Sequence, residues 1–179
     1  MKCPSCKNNE LVPVEIEKGL IGAGCTACEG ALLSLIQYRY WLDHHDDATL
    51  EEQGEDVVAV DSEGAKLCPK CSKMMTKYRI GYNTENRLDL CAHCDEAWLD
   101  NREWQLLKKL DVHNKLPTVF TDAWQRNIRK QRELQSMDAH FRDLFGAPDF
   151  ERVRDFKAWV DEHPQAVDIK HYITTNFKY

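Results

Sequence analysis

What the sequence lacks narrows the field first. No apolar run approaches the ~20 residues that cross a bilayer, and the opening Met-Lys-Cys-Pro-Ser-Cys has no charged-then-apolar leader. A cytoplasmic location, with no membrane as partner, is the expectation. Basic charge is short as well: 24 Lys and Arg stand against 30 Asp and Glu, a net charge of -6. A chain that coats nucleic acid through bulk charge would be basic. There is no Gly-rich phosphate loop, no Gly-x-Ser-x-Gly and no His-Glu-x-x-His. The 7 histidines are scattered and form no set with a nucleophile, so a non-catalytic protein is expected. Apolar residues make up 42%, but 8 of them are cysteines. The remaining share of roughly 38% is lean against the usual 45–50%, which argues against one core running the whole chain.

The cysteines are abundant and none is left over. They form four Cys-x-x-Cys pairs: Cys3/Cys6, Cys25/Cys28, Cys68/Cys71 and Cys91/Cys94. Without an export signal, such pairs read as metal ligands rather than disulfides. A two-residue spacer lets both thiolates reach one ion, and a second pair completes a tetrahedron at Zn–S distances of about 2.3 Å. The pairs also repeat, the second set lying 65 to 66 residues after the first, with Pro4 and Pro69 in matching places. Loops of 18 and 19 residues separate the pairs within each unit. Two structural zinc ions are expected, one on Cys3, Cys6, Cys25 and Cys28, the other on Cys68, Cys71, Cys91 and Cys94. Four thiolates leave no open position to activate water. Spacing leaves an interleaved cross-brace open, and iron or a dithiol redox pair remain the alternatives for the same residues.

The loops between pairs suit hairpins. Val12, Val14 and Ile16 alternate with polar residues and Gly19 permits a turn. In the second unit Tyr78-Arg79-Ile80 leads to a turn at 83–86, and Leu88 and Leu90 alternate on the return. After each last ligand comes a capping pattern, Ser34 with Gln37 and Asp100 with Glu103, which predicts helices at about 35–43 and 101–112. The first of these is apolar nearly all round and is expected to be buried.

Cys68-Pro69-Lys70-Cys71, then Cys91-Ala92-His93-Cys94 with Trp98-Leu99-Asp100 and Glu103, resembles the transcription factor IIB-type zinc ribbon. The resemblance covers 60–112 well and 1–43 more weakly. It implies zinc at the eight cysteines and a structural role for Trp98-Leu99-Asp100. Two departures stand out: Glu96 replaces the glycine that Gly30 keeps, and Leu32-Leu33-Ser34 replaces Trp-Leu-Asp in the first unit.

The rest of the chain is arranged around these units. Seven acidic residues and no Lys or Arg occupy 43–56, so 44–56 reads as a solvated acidic linker. Residues 57–60 are expected to add a strand to the second unit. The region 118–179 has no cysteine and reads as helices, stopped by Gly146, Pro148 and Pro164. Its one basic concentration is Arg126, Arg129, Lys130 and Arg132, a candidate contact for an anionic partner. The expected whole is a small α+β chain: a first ribbon with its helix at 1–43, a second at 57–112, and a helical C-terminal region at 118–179. The function expected is an adaptor or regulator that recognises another protein through the ribbons and the aromatic-rich helices. Nucleic acid is the alternative partner, and the C-terminal helices leave self-association open.

Overall fold

A computed structural model describes residues 1–44, 58–59, 61–62 and 64–175. Most of the acidic linker and the ends of the strand expected at 57–60 lie outside the described residues; Val58 and Ala59 are described and take no strand geometry. The chain divides into two compact units, Met1–Lys130 and Gln131–Tyr179.

In the first unit the sequence alternation produces strands β1 (Val12–Glu17) and β2 (Leu20–Gly24) and, in the second repeat, β4 (Thr76–Arg79) and β5 (Arg87–Cys91). Gly19 makes the first turn in the left-handed region, φ 79, where a side chain would be strained. Two further strands, β3 (Ala31–Ser34) and β6 (Glu96–Leu99), follow the last cysteine of each repeat. Neither strand is expected from the sequence, where only Ser34 and Asp100 are marked, as helix caps; four residues are too short a run to show a strand period.

These short strands unite the repeats. The six strands form one antiparallel sheet in the order β1-β2-β3-β6-β5-β4, so β3 of the first repeat pairs with β6 of the second. Ala31 faces Leu99 and Leu33 faces Ala97, while Leu32 faces Trp98. Leu32 and Trp98 hold the same place in the two repeats, so a pseudo-twofold axis passes between them. The ribbons expected as tandem units thus share backbone hydrogen bonds.

The alternation along β3 and β6 sends side chains to both faces of this sheet. Leu33, Ala97 and Leu99 join Leu20, Leu88, Tyr38, Trp41, Trp104 and Leu107 in a core with helices α1 (Leu35–His44) and α2 (Glu103–Lys109). Tyr38 closes it by donating to the His113 carbonyl (2.7 Å) and accepting from the Leu116 amide (3.2 Å). The first helix buries Leu35, Tyr38 and Trp41 as expected, but leaves Ile36 and Tyr40 exposed. Leu32 and Trp98 point the other way and pack in a second cluster with cysteines of both repeats.

Gly30 shows how tight that second cluster is. A Cβ added there would lie 2.4 Å from Trp98 Cζ2 and 3.1 Å from the Leu99 carbonyl oxygen. Gly30→Ala is therefore expected to destabilise the first unit by about 1–3 kcal/mol. A denaturant midpoint unchanged from the parent would refute this.

Past α2 the chain makes a single 3-10 turn at His113–Lys115 and then α3 (Leu116–Val119). Helix α4 (Asp122–Phe145) begins in the first unit, where Gln125 covers the free edge of β4. Its amide donates to the Arg79 carbonyl (2.9 Å) and accepts from the Arg79 N–H (3.2 Å), as a paired strand would. In the second unit the remainder of α4 is followed by α5 (Ala147–Glu162) and α6 (Ala166–Thr174). Gly146, at φ 78, ends α4 where expected.

Candidate metal centres

The four Cys-x-x-Cys segments share one backbone device. The residue after each second cysteine, Lys7, Glu29, Ser72 and Asp95, lies in the left-handed region at φ 63, 58, 58 and 56. Its N–H donates to the carbonyl of the first cysteine of the pair, at 2.8–2.9 Å in all four. The chain thereby folds back around the two sulfurs, and backbone amides turn inward: the Cys6 N–H donates to Cys3 Sγ at 3.2 Å. A left-handed residue other than glycine costs of order 1 kcal/mol, which coordination of a metal by the four sulfurs would offset.

These knuckles bring the cysteines together in the linear pairing. The sulfurs of Cys3, Cys6, Cys25 and Cys28 lie within 4.8 Å of one another, as do those of Cys68, Cys71, Cys91 and Cys94. Cys3 and Cys28 are 3.6 Å apart, Cys6 and Cys25 3.9 Å, and Cys71 and Cys91 3.6 Å. A tetrahedron with metal–sulfur bonds of about 2.3 Å has edges of about 3.8 Å. A disulfide needs about 2.05 Å. The two groups thus have the geometry of four-thiolate metal sites, and each could hold one ion.

The protonation chemistry agrees with a ligand role. Burial pushes the Cys25 thiol up, but the N–H groups of Cys28 and Ala27 outweigh it and bring it down to about 7. The Lys73 N–H holds Cys71 down to about 7 as well. The hydrogen bond with Cys71 and burial push Cys94 up to about 12, and burial raises Cys28 further. A four-thiol cluster gives up its first proton readily and its last with difficulty unless a cation enters. His93, inside the last knuckle, contacts Lys73 (3.1 Å) at the surface rather than joining the cysteines.

Sequence reasoning missed the polar cluster beside these centres. Asp100, expected as a helix cap, is instead the hub. It accepts from Ser62 N–H (2.8 Å), Ser62 Oγ (2.5 Å), Trp98 Nε1 (2.7 Å), Lys66 Nζ (3.2 Å) and Ser5 Oγ (3.3 Å). Helix α2 starts after Arg102, at φ 63, with no side-chain cap. Only the second half of the expected capping pair forms, Glu103 accepting from the Asp100 N–H at 2.8 Å. Lys66, itself buried, bridges Asp100 to Asp89 (2.6 Å), and Lys77 also reaches Asp89 (3.1 Å). Burial alone would lower Lys66; the two carboxylates outweigh it and keep the ammonium above its usual range. Asp61, Asp100 and Glu103 also approach one another, but cationic side chains already pair with two of them, Lys66 with Asp100 and Lys77 with Asp61. Lys66 and Asp89 carry no local signal, since their partners are far away in sequence.

Glu103 is the exception within this cluster. Burial, with only weaker relief from its hydrogen bonds, pushes its carboxyl up to about 8. An acid raised in the folded state holds its proton there after the unfolded chain has lost it, so stability falls as pH rises between about 4.5 and 8. That span corresponds to a loss on the order of 5 kcal/mol. Glu103→Gln keeps the acceptor for Asp100 N–H without the titration. It is expected to flatten this part of the stability–pH curve, and an undiminished slope in urea melts at several pH values would refute the assignment.

The basic stretch is only partly assembled. Arg126, Arg129 and Lys130 are exposed at i, i+3 and i+4 on α4, whereas Arg132 is half-buried and lies off that face.

Among the described residues no helix is long and apolar enough to cross a membrane. Comparison of the chain with protein-family models, curated proteins and solved structures finds no match in any of the three.

Proposed function

We propose that this chain is a non-catalytic recognition protein, an adaptor or regulator built on two zinc sites, whose partner is another protein. Zinc is the ion of choice for a closed four-thiolate tetrahedron with a structural task. It has no redox chemistry to disturb the surrounding core, whereas iron in the same ligands would cycle. The short strands and helices around each centre support the resemblance to tandem zinc ribbons of the transcription factor IIB type. That resemblance carries no assignment of role, since function lives in sites and not in folds.

The observation that carries the recognition reading is the open apolar face of the second unit. Leu134, Met137, Phe141 and Leu144 follow one another at spacings of 3, 4 and 3 along α4, and all four are exposed, Leu144 at 65%. This is the a/d stripe that an amphipathic partner helix packs against. On the neighbouring helices Val153, Phe156, Trp159, Tyr172 and Ile173 are exposed too. Phe150 and Val160 are the only buried side chains among the described residues of this unit. An apolar surface this extensive marks an interaction site on a soluble chain.

The test compares the full chain with a Met137→Glu, Phe141→Glu variant in cross-linking from native extract. A partner protein captured by the parent and lost from the variant, with zinc content equal in both, supports the reading. Nucleic acid is the competing outcome, through Arg126, Arg129 and Lys130. Submicromolar anisotropy titrations at physiological salt, abolished by charge reversal at Arg129 and Lys130, would replace the protein partner with nucleic acid.

A further inference from the structure

Each four-cysteine group is held in place by the other repeat. At the first centre, Trp98 from β6 lies against Gly30, two residues past Cys28. Ser5, between Cys3 and Cys6, donates to Asp100 at the end of β6 (3.3 Å). At the second centre the direction is reversed. Asp95, the left-handed residue directly after Cys94, receives the Leu35 N–H on its carbonyl (3.0 Å) and Arg39 on its carboxylate (2.8 Å), both from α1 of the first repeat. Between the two centres, Leu32 and Trp98 face each other across the β3–β6 pairing and belong to one buried cluster with the cysteines.

From this exchange of supports we infer that the two metal sites load as a coupled pair, occupation of either raising the affinity of the other. The inference rests on the two-zinc reading. A site without metal keeps four thiols in place of a bound cation, and its knuckles loosen. Loosening at Cys3–Cys6 or Cys25–Cys28 withdraws Ser5 and Gly30 from Asp100 and Trp98, and so frees β6 directly after the second centre. Loosening at Cys91–Cys94 releases Asp95 from Leu35 and Arg39, and so frees α1 directly after β3. The strand pair β3–β6 transmits both effects, because it joins one strand of each repeat over four residue pairs. Linkage makes the coupling equal in both directions.

The test is native mass spectrometry of the full chain titrated with zinc. Independent, equal sites give a one-zinc species that reaches half of the population at half-saturation. Coupling of the usual 5- to 150-fold reduces that share to between about one third and one twelfth. The double variant Ser5→Ala, Arg39→Ala removes two cross-repeat contacts and no ligand, and is expected to raise the one-zinc share towards half. A parent chain whose one-zinc species reaches half or more overturns the inference and leaves the two-zinc reading standing. A one-zinc share in the double variant as low as in the parent also overturns the route through these contacts. A chain that retains no zinc at all overturns the two-zinc reading and this inference together.

Discussion

Removing the metal with a strong chelator is expected to unfold the whole six-stranded sheet and not one ribbon of it. The cysteines Cys3, Cys25, Cys68 and Cys91 are buried in one cluster with Leu32, Met75 and Trp98, so without ions that cluster must accommodate eight uncoordinated thiols. Structural zinc sites contribute apparent binding free energies of about 10–16 kcal/mol each, so two together would exceed the roughly 5–15 kcal/mol net stability of a typical domain. The shared strands leave neither half an independent core: Leu33 and Leu35 pack in the same cluster as Ala97, Leu99 and Trp104. The readout is circular dichroism together with tryptophan emission, because Trp98 is fully buried in the intact unit. Loss of sheet signal with a red-shifted emission is the expected result. A sheet signal that survives chelation, or half of it, would show that the apolar face holds the strands alone. The helices of the second unit carry no cysteine and should keep their helical signal throughout.

Asp100→Ala should be the most costly single substitution outside the ligands. It removes the acceptor for Trp98, Ser62, Ser5 and Lys66 at once, and leaves Lys66 buried with only Asp89 beside it. Breaking a buried, hydrogen-bonded ion pair by deleting one partner costs about 3–5 kcal/mol. In a unit of this size that lowers the melting temperature by about 10 °C. Acid should act in the same direction. Burial pushes the Asp100 carboxyl up, but Ser62, Trp98 and Lys66 outweigh it and hold the group below its usual range. An acid depressed in the folded state contributes stability above its unfolded value, and that stability is lost as pH falls through the folded one. The comparison is Arg39→Ala, which breaks the exposed pair with Asp95 and should cost under about 1 kcal/mol. Equal losses for the two variants would remove Asp100 from its place as hub.

Much of this protein follows from local signals. Cys-x-x-Cys spacing is enough to place eight ligands, because two residues are the chain length that lets neighbouring sulfurs share an ion. The 65- to 66-residue repeat places two such groups, and the alternations at 12–16 and 88–90 announce the hairpins; the linear pairing, which spacing left open beside a cross-brace, is seen only in the folded chain. Helix boundaries followed from Gly146 at the end of α4 and from the Ser34 pattern ahead of α1. What stayed illegible depends on partners far apart in sequence. Strands β3 and β6 have four residues each, too few to show a period, and more than half of their backbone pairing is with each other, more than 60 residues apart in sequence. Asp100 looks like a cap because Ser-x-x-Gln and Asp-x-x-Glu patterns are local; its true partners Ser5, Ser62 and Lys66 come from 34 to 95 positions away. The sequence alone therefore determined which eight cysteines come in pairs and the class of elements, since spacing and periodicity are short-range physics. The tertiary structure decided that the two repeats become one sheet, that Leu32 and Trp98 join two four-cysteine groups, and that an apolar stripe on α4 is exposed. Those outcomes depend on which surfaces find each other, and burial is a property of the packed chain.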